Sequence, residues 1–375
     1  MENTDMEQIP LVDLQAQQAE ILSEIRPELD EVLSSAAFIG GPAVGRFESE
    51  YARFTGTSHC VGVGNGTDAL ELALRAAGVR AGGEVIIPAN TFVATAEAVA
   101  RIGAVPVIVD VDPEYLLIDP KKVSQAVTTK TQAILPVHLF GQLAPMEEIL
   151  AIAQSFEIAV IEDAAQSQGA SYGGKVSGSF GIAAATSFYP GKNLGAAGDA
   201  GAVTTNDPDI AAQIRLLGGH GSSAKYVHDV VGMNSRLDTI QAVVLSAKLK
   251  RLARWNALRR DAAARYGELL AEVPAVTVPQ SRPGNTDAWH LYVVRVDDRD
   301  RVLDELHSAG IGAGIHYPTP VHLTKAFSYL GQGEGDFPVA ERAAGRILSL
   351  PLFPHITLEQ QRRVVQSLAE TLRMR

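Results

Sequence analysis

The chain has 375 residues, and its 43 acidic against 32 basic side chains give a net charge of -11, which argues against nucleic acid as the main partner. There is no run of 18 apolar residues, and the amino end is polar and acidic. We therefore expect neither a membrane span nor a signal peptide, and a cytoplasmic protein. The single cysteine, Cys60, excludes an internal disulfide and a cysteine metal cluster within one chain; we expect it to be buried and metal-free.

The amino-terminal part is predicted to be helical. Apolar residues recur at helical spacing over residues 13–33, where Pro27 is expected to start or kink a helix. A turn containing glycine and proline follows at residues 38–42. Residues 44–54 have the pattern of a further short helix.

A glycine-rich turn joins the first predicted strand to a helix. The strand covers residues 59–63, the turn contains Gly64, Gly66 and Thr67, and helical spacing resumes at residues 71–77. Such a turn presents backbone N–H groups and the positive end of a helix dipole to an anion, usually a phosphate. From the turn alone, tight packing explains the glycines equally well.

Strands and helices alternate from Glu84 onward. The predicted strands are residues 85–87, 105–109 and 133–137, and the predicted helices are residues 95–103 and 146–156. This alternation predicts an α/β fold whose mostly parallel sheet is covered by helices on both faces.

Charged residues stand at the carboxyl ends of two further strands. One strand, residues 158–163, ends at Asp163. Lys192 follows the buried strand at residues 181–186 and lies 29 positions after Asp163. Parallel strands present these ends to a ligand cleft. Pyridoxal 5'-phosphate (PLP) requires a carboxylate at its pyridinium nitrogen and a lysine that carries it as a Schiff base. A solvated lysine and a helix-capping aspartate remain the alternatives at this point.

The carboxyl-terminal part is expected to form a smaller α+β domain. A long helix at residues 237–270 bridges to it from the large domain. The large domain is assigned to residues 1–250 and the small domain to residues 251–375. The expected elements of the small domain are a strand at residues 290–296, a helix at 300–309 and a closing helix from Leu358.

Four segments resemble those of the PLP-dependent sugar aminotransferases of the DegT/StrS type. They are GNGTDAL at residues 64–70, PANTFVAT at 88–95, EDAAQ at 162–166 and SFYPGKNLG at 187–195. The resemblance covers almost the whole chain. It implies the type I, aspartate aminotransferase-like fold and a homodimer in which each active site uses both subunits.

The resemblance also implies roles for individual residues. Lys192 would form the Schiff base, Asp163 would pair with the pyridinium nitrogen, and Gln166 would hydrogen-bond the phenolic oxygen of the cofactor. Phe92 would stack on the ring, while Gly66, Thr67 and Ser187 would hold the phosphate. Asn234 would complete the phosphate site of the neighbouring subunit.

The substrate implied by the resemblance is a nucleotide-linked keto sugar, with glutamate or glutamine as amino donor. The residues around the lysine resemble the branch that acts on the 3-keto position of dTDP-3-keto-6-deoxyhexoses, and a branch for UDP-linked 3-keto uronic acids stays open. Lys225 and Arg236 would neutralise the diphosphate. The other expected substrate contacts are Tyr189, His316, Tyr317 and His322.

Two other functions are weighed against transamination. Relatives that dehydrate sugars carry histidine in place of the lysine or extra cysteines for an iron-sulfur cluster, and Lys192 and the solitary Cys60 disfavour both. A non-catalytic regulator that keeps the fold would be free to lose Lys192 or Asp163. The chain has kept both residues.

Overall fold

The computed structural model of the chain describes residues 8–373. The acidic residues 1–7, which contributed to the expectation that the protein lacks a signal peptide, lie outside the described residues. Within residues 8–373, no helix has the length and apolar character needed to cross a membrane. The strands are β1 (His59–Val63), β2 (Glu84–Pro88), β3 (Val105–Val109), β4 (Thr131–Ile134), β5 (Ala159–Asp163), β6 (Ser171–Tyr172), β7 (Lys175–Val176), β8 (Ala183–Ser187), β9 (Gly201–Thr205), β10 (Ser222–Ala224), β11 (Val227–His228), β12 (Asn285–Thr286), β13 (Tyr292–Arg295) and β14 (Ile347–Leu350).

The main sheet of the described chain has the strand order β1-β9-β8-β5-β4-β2-β3. β9 is antiparallel to both of its neighbours, and the other paired strands of this sheet are parallel. The predicted α/β architecture is therefore confirmed. Because β5 and β8 are parallel neighbours, with Asp163 opposite Ala185, their carboxyl ends lie side by side.

Helices cover both faces of this sheet. Side chains alternate between the faces of a strand, so Val85 and Ile87 pack in one core cluster and Ile86 packs in another. Cys60 is buried on the second face, as expected. The α-helices are α1 (Leu14–Ala19), α2 (Leu22–Ser35), α3 (Pro42–Thr55), α4 (Gly66–Ala76), α5 (Val93–Arg101), α6 (Pro120–Ala126), α7 (Met146–Phe156), α8 (Pro208–Gly218), α9 (Thr239–Leu270), α10 (Arg299–Ser308), α11 (Pro338–Ala344) and α12 (Leu358–Arg373).

The first predicted helix is two helices in the structure. The break lies between α1 and α2, at Glu20 and Ile21, and Pro27 sits inside α2 instead of starting it. Asp13 caps α1 by accepting a hydrogen bond from the Ala16 N–H at 3.0 Å. Helical periodicity continued across the break, which is why the sequence pattern did not reveal it.

The helix after the glycine-rich turn begins five residues earlier than the spacing predicts, at Gly66 instead of residue 71. Asn65 is its N-cap, and the Asn65 side-chain oxygen accepts a hydrogen bond from the Asp68 N–H at 2.8 Å. The cap draws the turn itself into the first turn of α4. The N–H groups of Gly66 and Thr67 are therefore at the positive end of the helix.

The carboxyl-terminal part has its own core, as predicted for an α+β region. β13 and β14 pair antiparallel, and Tyr292 and Leu350 from these strands pack with Val302 of α10 and Leu368 of α12. The long helix α9 contributes Tyr266 to this core and Leu252 to the core of the large sheet. A division of the chain at residue 250 falls within this helix.

Candidate active site

One cavity collects most of the residues predicted for the site. It has a volume of about 680 Å³ and opens at the carboxyl ends of β5 and β8. Asp163 and Lys192 both line it. Other predicted residues on its wall are Gly66, Thr67, Phe92, Gln166, Ser187, Tyr189, His316 and Tyr317. We refer to it below as the active-site cavity.

Asp163 is a buried carboxylate that is held by two donors. The Thr95 hydroxyl donates to Oδ2 at 2.8 Å, and the Ala165 N–H donates to Oδ1 at 3.2 Å. Burial raises the pKa of Asp163, and the hydrogen bonds and the charge on Lys192 oppose that rise. A cation placed against this carboxylate would remove the cost of burying its charge.

Lys192 lies in the loop after β8 and lacks an acid partner within 4 Å among residues 8–373. Burial lowers the pKa of Lys192 to about 8 from its ordinary value of 10.5, and the charge on Asp163 partly opposes the effect. A neutral amine is the form that attacks a carbonyl or accepts a proton. Lys192 therefore supplies that form near neutral pH much more readily than an exposed lysine.

The amino end of α4 and the loop after β8 make an anion cradle. Gly66 must be glycine here, because an added Cβ would lie 2.6 Å from the Cβ of Ser187. The Ser187 oxygen accepts a hydrogen bond from the Tyr189 N–H at 3.2 Å, which leaves its own hydrogen free to donate into the cavity. Backbone N–H groups, a helix dipole and a hydroxyl converge here, which is the chemistry that binds a phosphate.

Gln166 has its amide orientation fixed by two neighbours. Its oxygen accepts from the Phe140 N–H at 2.7 Å, so its nitrogen faces Tyr317 and donates to that hydroxyl at 3.0 Å. The second N–H of Gln166 remains available for a cavity oxygen. The Phe92 ring lies 5.0 Å from the Tyr317 ring at the cavity wall, where a planar cofactor ring could stack.

His316 is a neutral group of the cavity wall. Its Nδ1 is 2.8 Å from the Ser349 hydroxyl. Burial lowers the pKa of His316 to about 4, and the charge on Lys192 acts in the same direction. His316 therefore meets a ligand through hydrogen bonds and not as a cation.

His322 does not reach the cavity, although the sequence suggested a substrate contact. Its Nε2 is 3.0 Å from the Glu341 carboxylate, and its ring packs edge-on against Phe337 at 4.6 Å. The turn that carries His322 folds inward beneath α11, so the imidazole is buried at a position that local motifs could not reveal. The geometry corrects that expectation and makes His322 part of the packing.

Three other predicted residues lie on an exposed stretch outside the cavity of their own chain. They are Lys225, Asn234 and Arg236. Ser235, between the last two, ties this stretch to the outer side of the phosphate turn: its hydroxyl donates to Asp68 at 2.8 Å and accepts from the Gly64 N–H at 2.9 Å. Ser235 is therefore held beside the turn, and the side chains of Asn234 and Arg236 on either side of it are exposed.

The structure adds cavity residues that the sequence did not single out. Thr95 lies inside one of the four family-like segments, and its bond to Asp163 gives it a role in the site. Arg101 ends α5 at the cavity wall and pairs with Glu71 at 2.8 Å. His290 lines the cavity from the start of a predicted strand, where a histidine carries no motif signal.

The donor set fits PLP. The buried carboxylate could pair with a pyridinium nitrogen, the amine of lowered pKa could form a Schiff base with the aldehyde, and the free amide N–H of Gln166 could bond the phenolic oxygen. The uncovered amino end of α4 fits its phosphate. Asp163, Gln166 and the amino end of α4 are each on a regular element or held by a named hydrogen bond, so this part of the site is preorganised.

Comparison with curated proteins gives relatives across the full length. Erythromycin biosynthesis sensory transduction protein EryC1 of Saccharopolyspora erythraea is 49% identical over 360 residues, covering 96% of this chain and 98% of that protein. dTDP-3-amino-3,4,6-trideoxy-alpha-D-glucose transaminase of Streptomyces venezuelae is 42% identical, covering 96% of each chain. UDP-2-acetamido-2-deoxy-3-oxo-D-glucuronate aminotransferase of Pseudomonas aeruginosa is 43% identical, covering 93% of this chain and 96% of that protein.

Solved structures agree with these relatives. S. venezuelae DesV has a TM-score of 0.95 at 42% identity, covering 97% of this chain and 98% of its own. NtdA of Bacillus subtilis, with bound cofactor PMP, has a TM-score of 0.91 at 32% identity, covering 100% of this chain and 87% of its own. The type I fold and the PLP cofactor are thereby confirmed. The model of the DegT/DnrJ/EryC1/StrS aminotransferase family matches residues 19–369, and the chain belongs to that family as a PLP-dependent transaminase of nucleotide sugars.

Proposed function

We propose that this transaminase moves an amino group from glutamate or glutamine to the 3-keto position of a dTDP-3-keto-6-deoxyhexose. The observation that carries the sugar assignment is the charge of the cavity wall. Among the described residues, Lys192 and Arg101 are the lysine and arginine residues on it, and Arg101 already pairs with Glu71 and Asp68. A uronic acid carboxylate needs a cation in addition to those that hold the diphosphate, whereas a 6-deoxyhexose needs none.

Neutral hydrogen-bonding groups support the same choice. Tyr189, His316 and Tyr317 present a mixed aromatic and polar surface, and the shifted pKa values of His316 and Tyr317 keep both of them uncharged at neutral pH. Such groups suit the hydroxyls and ring of a neutral sugar. The transaminase of Streptomyces venezuelae that shares 42% identity is a dTDP-sugar enzyme by name.

The residues of the chain have separable tasks in this reaction. PLP supplies the electron sink for the carbanion that forms when the donor loses its α-proton. With PLP bound, Asp163 would keep the ring nitrogen protonated, and Lys192 would move the proton at the donor α-carbon. Gln166 would hydrogen-bond the phenolic oxygen, and the amino end of α4 would hold the phosphate. A non-catalytic role would need neither Lys192 nor Asp163.

A substrate panel tests the sugar assignment. We expect kcat/KM for a dTDP-3-keto-6-deoxyhexose to exceed that for a UDP-linked 3-keto uronic acid by at least about tenfold, the effect of leaving one charged group unpaired in the site. The 2-oxoglutarate formed from glutamate would be measured with each sugar. A higher kcat/KM for the uronic acid would refute the choice of sugar and leave the transaminase function intact.

We further propose a homodimer in which each cavity is completed by the other subunit. Asp68, Glu97 and Asp199 line the cavity of one chain, and a diphosphate would be repelled unless cations were added. Arg236 is exposed next to Ser235, Lys225 is exposed in the hairpin of β10 and β11, and both are available to a second copy. In the proposed dimer, Asn234 of the partner subunit reaches the cofactor phosphate.

Subunit mixing tests the shared site. Lys192→Ala chains should be impaired because they lack the amine. Asn234→Asp chains should be impaired because the added carboxylate repels the cofactor phosphate. In the mixed dimer one site receives both defects and the other receives none, so activity should approach half the wild-type rate per heterodimer. Differently tagged chains allow the heterodimer to be isolated and assayed. If both parents are impaired and the isolated heterodimer recovers nothing, Asn234 acts within its own subunit.

A further inference from the structure

His290 is a buried residue of the active-site cavity with no role in the chemistry described above. It is 8% exposed and lines the same wall as Lys192 and His316. No group in the described chain makes a hydrogen bond to its Nε2. The amine of Lys192 likewise lacks a hydrogen-bond acceptor among residues 8–373. A free acceptor and a free donor therefore share one cavity.

The backbone that carries His290 is clamped. The Ala288 N–H donates to the Gly141 carbonyl at 2.9 Å, and the Leu291 N–H donates to the Phe140 carbonyl at 3.2 Å. Gly141 has a φ of +99°, and a Cβ there would lie 2.5 Å from the backbone nitrogen of His290, so this close approach depends on glycine. The position of the imidazole is therefore fixed by its surroundings.

Buried amides fix which ring nitrogen carries the hydrogen. The Asn193 Nδ2 donates to the Ala288 carbonyl at 2.8 Å, and a carbonyl can only accept. The Asn256 Nδ2 donates to the Gln168 carbonyl at 2.8 Å, so the Asn256 oxygen faces Asn193 and accepts its second N–H at 2.9 Å. Both anchors give the same orientation of Asn193, whose oxygen is left facing Nδ1 of His290 at 3.1 Å.

An amide oxygen can only accept, so Nδ1 of His290 carries a hydrogen. Burial lowers the pKa of His290 well below its ordinary value, and the charges on Lys192, Arg259 and His316 act in the same direction. The imidazole is neutral, and its Nε2 is an unprotonated acceptor. The tautomer of His316 is not fixed in this way, because its partner, the Ser349 hydroxyl, can donate or accept.

We propose that Nε2 of His290 is the hydrogen-bond acceptor that positions Lys192 when its amine is released from the cofactor during turnover. His290 holds one N–H of the lysine and thereby directs the nitrogen lone pair toward the reacting centre beside Asp163. It is a positioning residue, because it acts through Lys192. The proposal rests on the transaminase function, and the two tests that follow separate its failure from a failure of that function.

The first test is the tautomer in the chain without cofactor. Chains labelled with ¹⁵N-histidine should give one imidazole with a protonated Nδ1 and a bare Nε2, whose pKa lies well below the ordinary histidine value. Comparison with a His290→Gln chain assigns the signal. A signal from a protonated Nε2, or a titration near the ordinary histidine pKa, would overturn the proposal without any reference to activity.

The second test is the pKa of Lys192, measured by NMR after ¹³C reductive methylation of the chain that holds the amine form of the cofactor. A hydrogen bond to the ammonium favours the charged form, so His290→Leu should lower the pKa of Lys192 by about one to two pH units. His290→Gln keeps an acceptor oxygen and should restore part of the difference. The signal of Lys248, remote from the cavity, should not move in either variant.

The same variants separate positioning from binding in the holoenzyme. We expect kcat of His290→Leu to fall by about 10- to 100-fold with KM for donor and sugar nearly unchanged, and partial recovery in His290→Gln. Unchanged kcat together with an unchanged pKa of Lys192 in His290→Leu would refute the proposal. If wild-type protein itself did not transaminate any donor, the proposed function would fail, while the tautomer would still be measurable.

Discussion

Replacing Lys192 with alanine should leave a folded chain that still retains PLP or its amine form but does not turn over. The phosphate cradle at α4 and Ser187 is untouched by the change, so the cofactor is retained. The variant loses both the covalent attachment and the proton carrier. Turnover should fall by at least about 10⁴-fold, the upper end of what one acid-base group contributes. Steady-state assays and cofactor release on denaturation measure the two effects separately.

The chain offers a matched control in Lys248. Burial lowers the pKa of Lys248 to about 8, as for Lys192, but Lys248 lies on α9 away from the cavity. Lys248→Ala should therefore keep turnover within a few-fold of the wild-type rate. Lys192→Arg keeps the positive charge without a nucleophilic amine and should be as inactive as Lys192→Ala. Near wild-type transamination by Lys192→Ala would contradict the assignment.

The frame of the site could be predicted because it depends on local patterns. Apolar runs bounded by charges located the strands around Asp163 and Lys192, and β1 at His59–Val63 was predicted to the residue. Because β5 and β8 are parallel neighbours in the sheet, their carboxyl ends lie together. The glycine-rich turn follows from its composition, whereas the start of α4 at Gly66 depends on the Asn65 cap and not on apolar spacing.

What the sequence could not supply were contacts between distant segments. The reversed direction of β9 is set by its pairing with β1 and β8, which leaves no mark on its own residues. The Thr95 bond to Asp163 spans 68 positions, and the chain of amides behind His290 joins four segments. The position of His322 could not be predicted for the same reason, because its imidazole contacts the carboxylate of Glu341 on α11.

Replacing Asp163 with asparagine should preserve the fold and greatly reduce turnover. The amide oxygen can still accept from the Ala165 N–H, while its nitrogen would face the Thr95 hydroxyl. That hydroxyl can turn, donate to Thr91 at 2.7 Å and accept from the new amide, so no buried group is left unpaired. What is lost is the negative charge that keeps the cofactor ring nitrogen protonated.

The expected fall in kcat is on the order of 10²- to 10³-fold, the effect of removing one preorganised electrostatic partner. Asp287→Asn is the control, since burial also raises the pKa of Asp287, to about 6, and this side chain lies outside the cavity. The folded chain binds that proton more tightly than the unfolded chain, so the carboxylate costs stability above about pH 6 and asparagine removes the cost. Asp287→Asn should keep kcat and unfold at the same temperature or higher. If Asp163→Asn kept normal turnover while its fold and cofactor content were intact, another group would have to hold the ring nitrogen protonated.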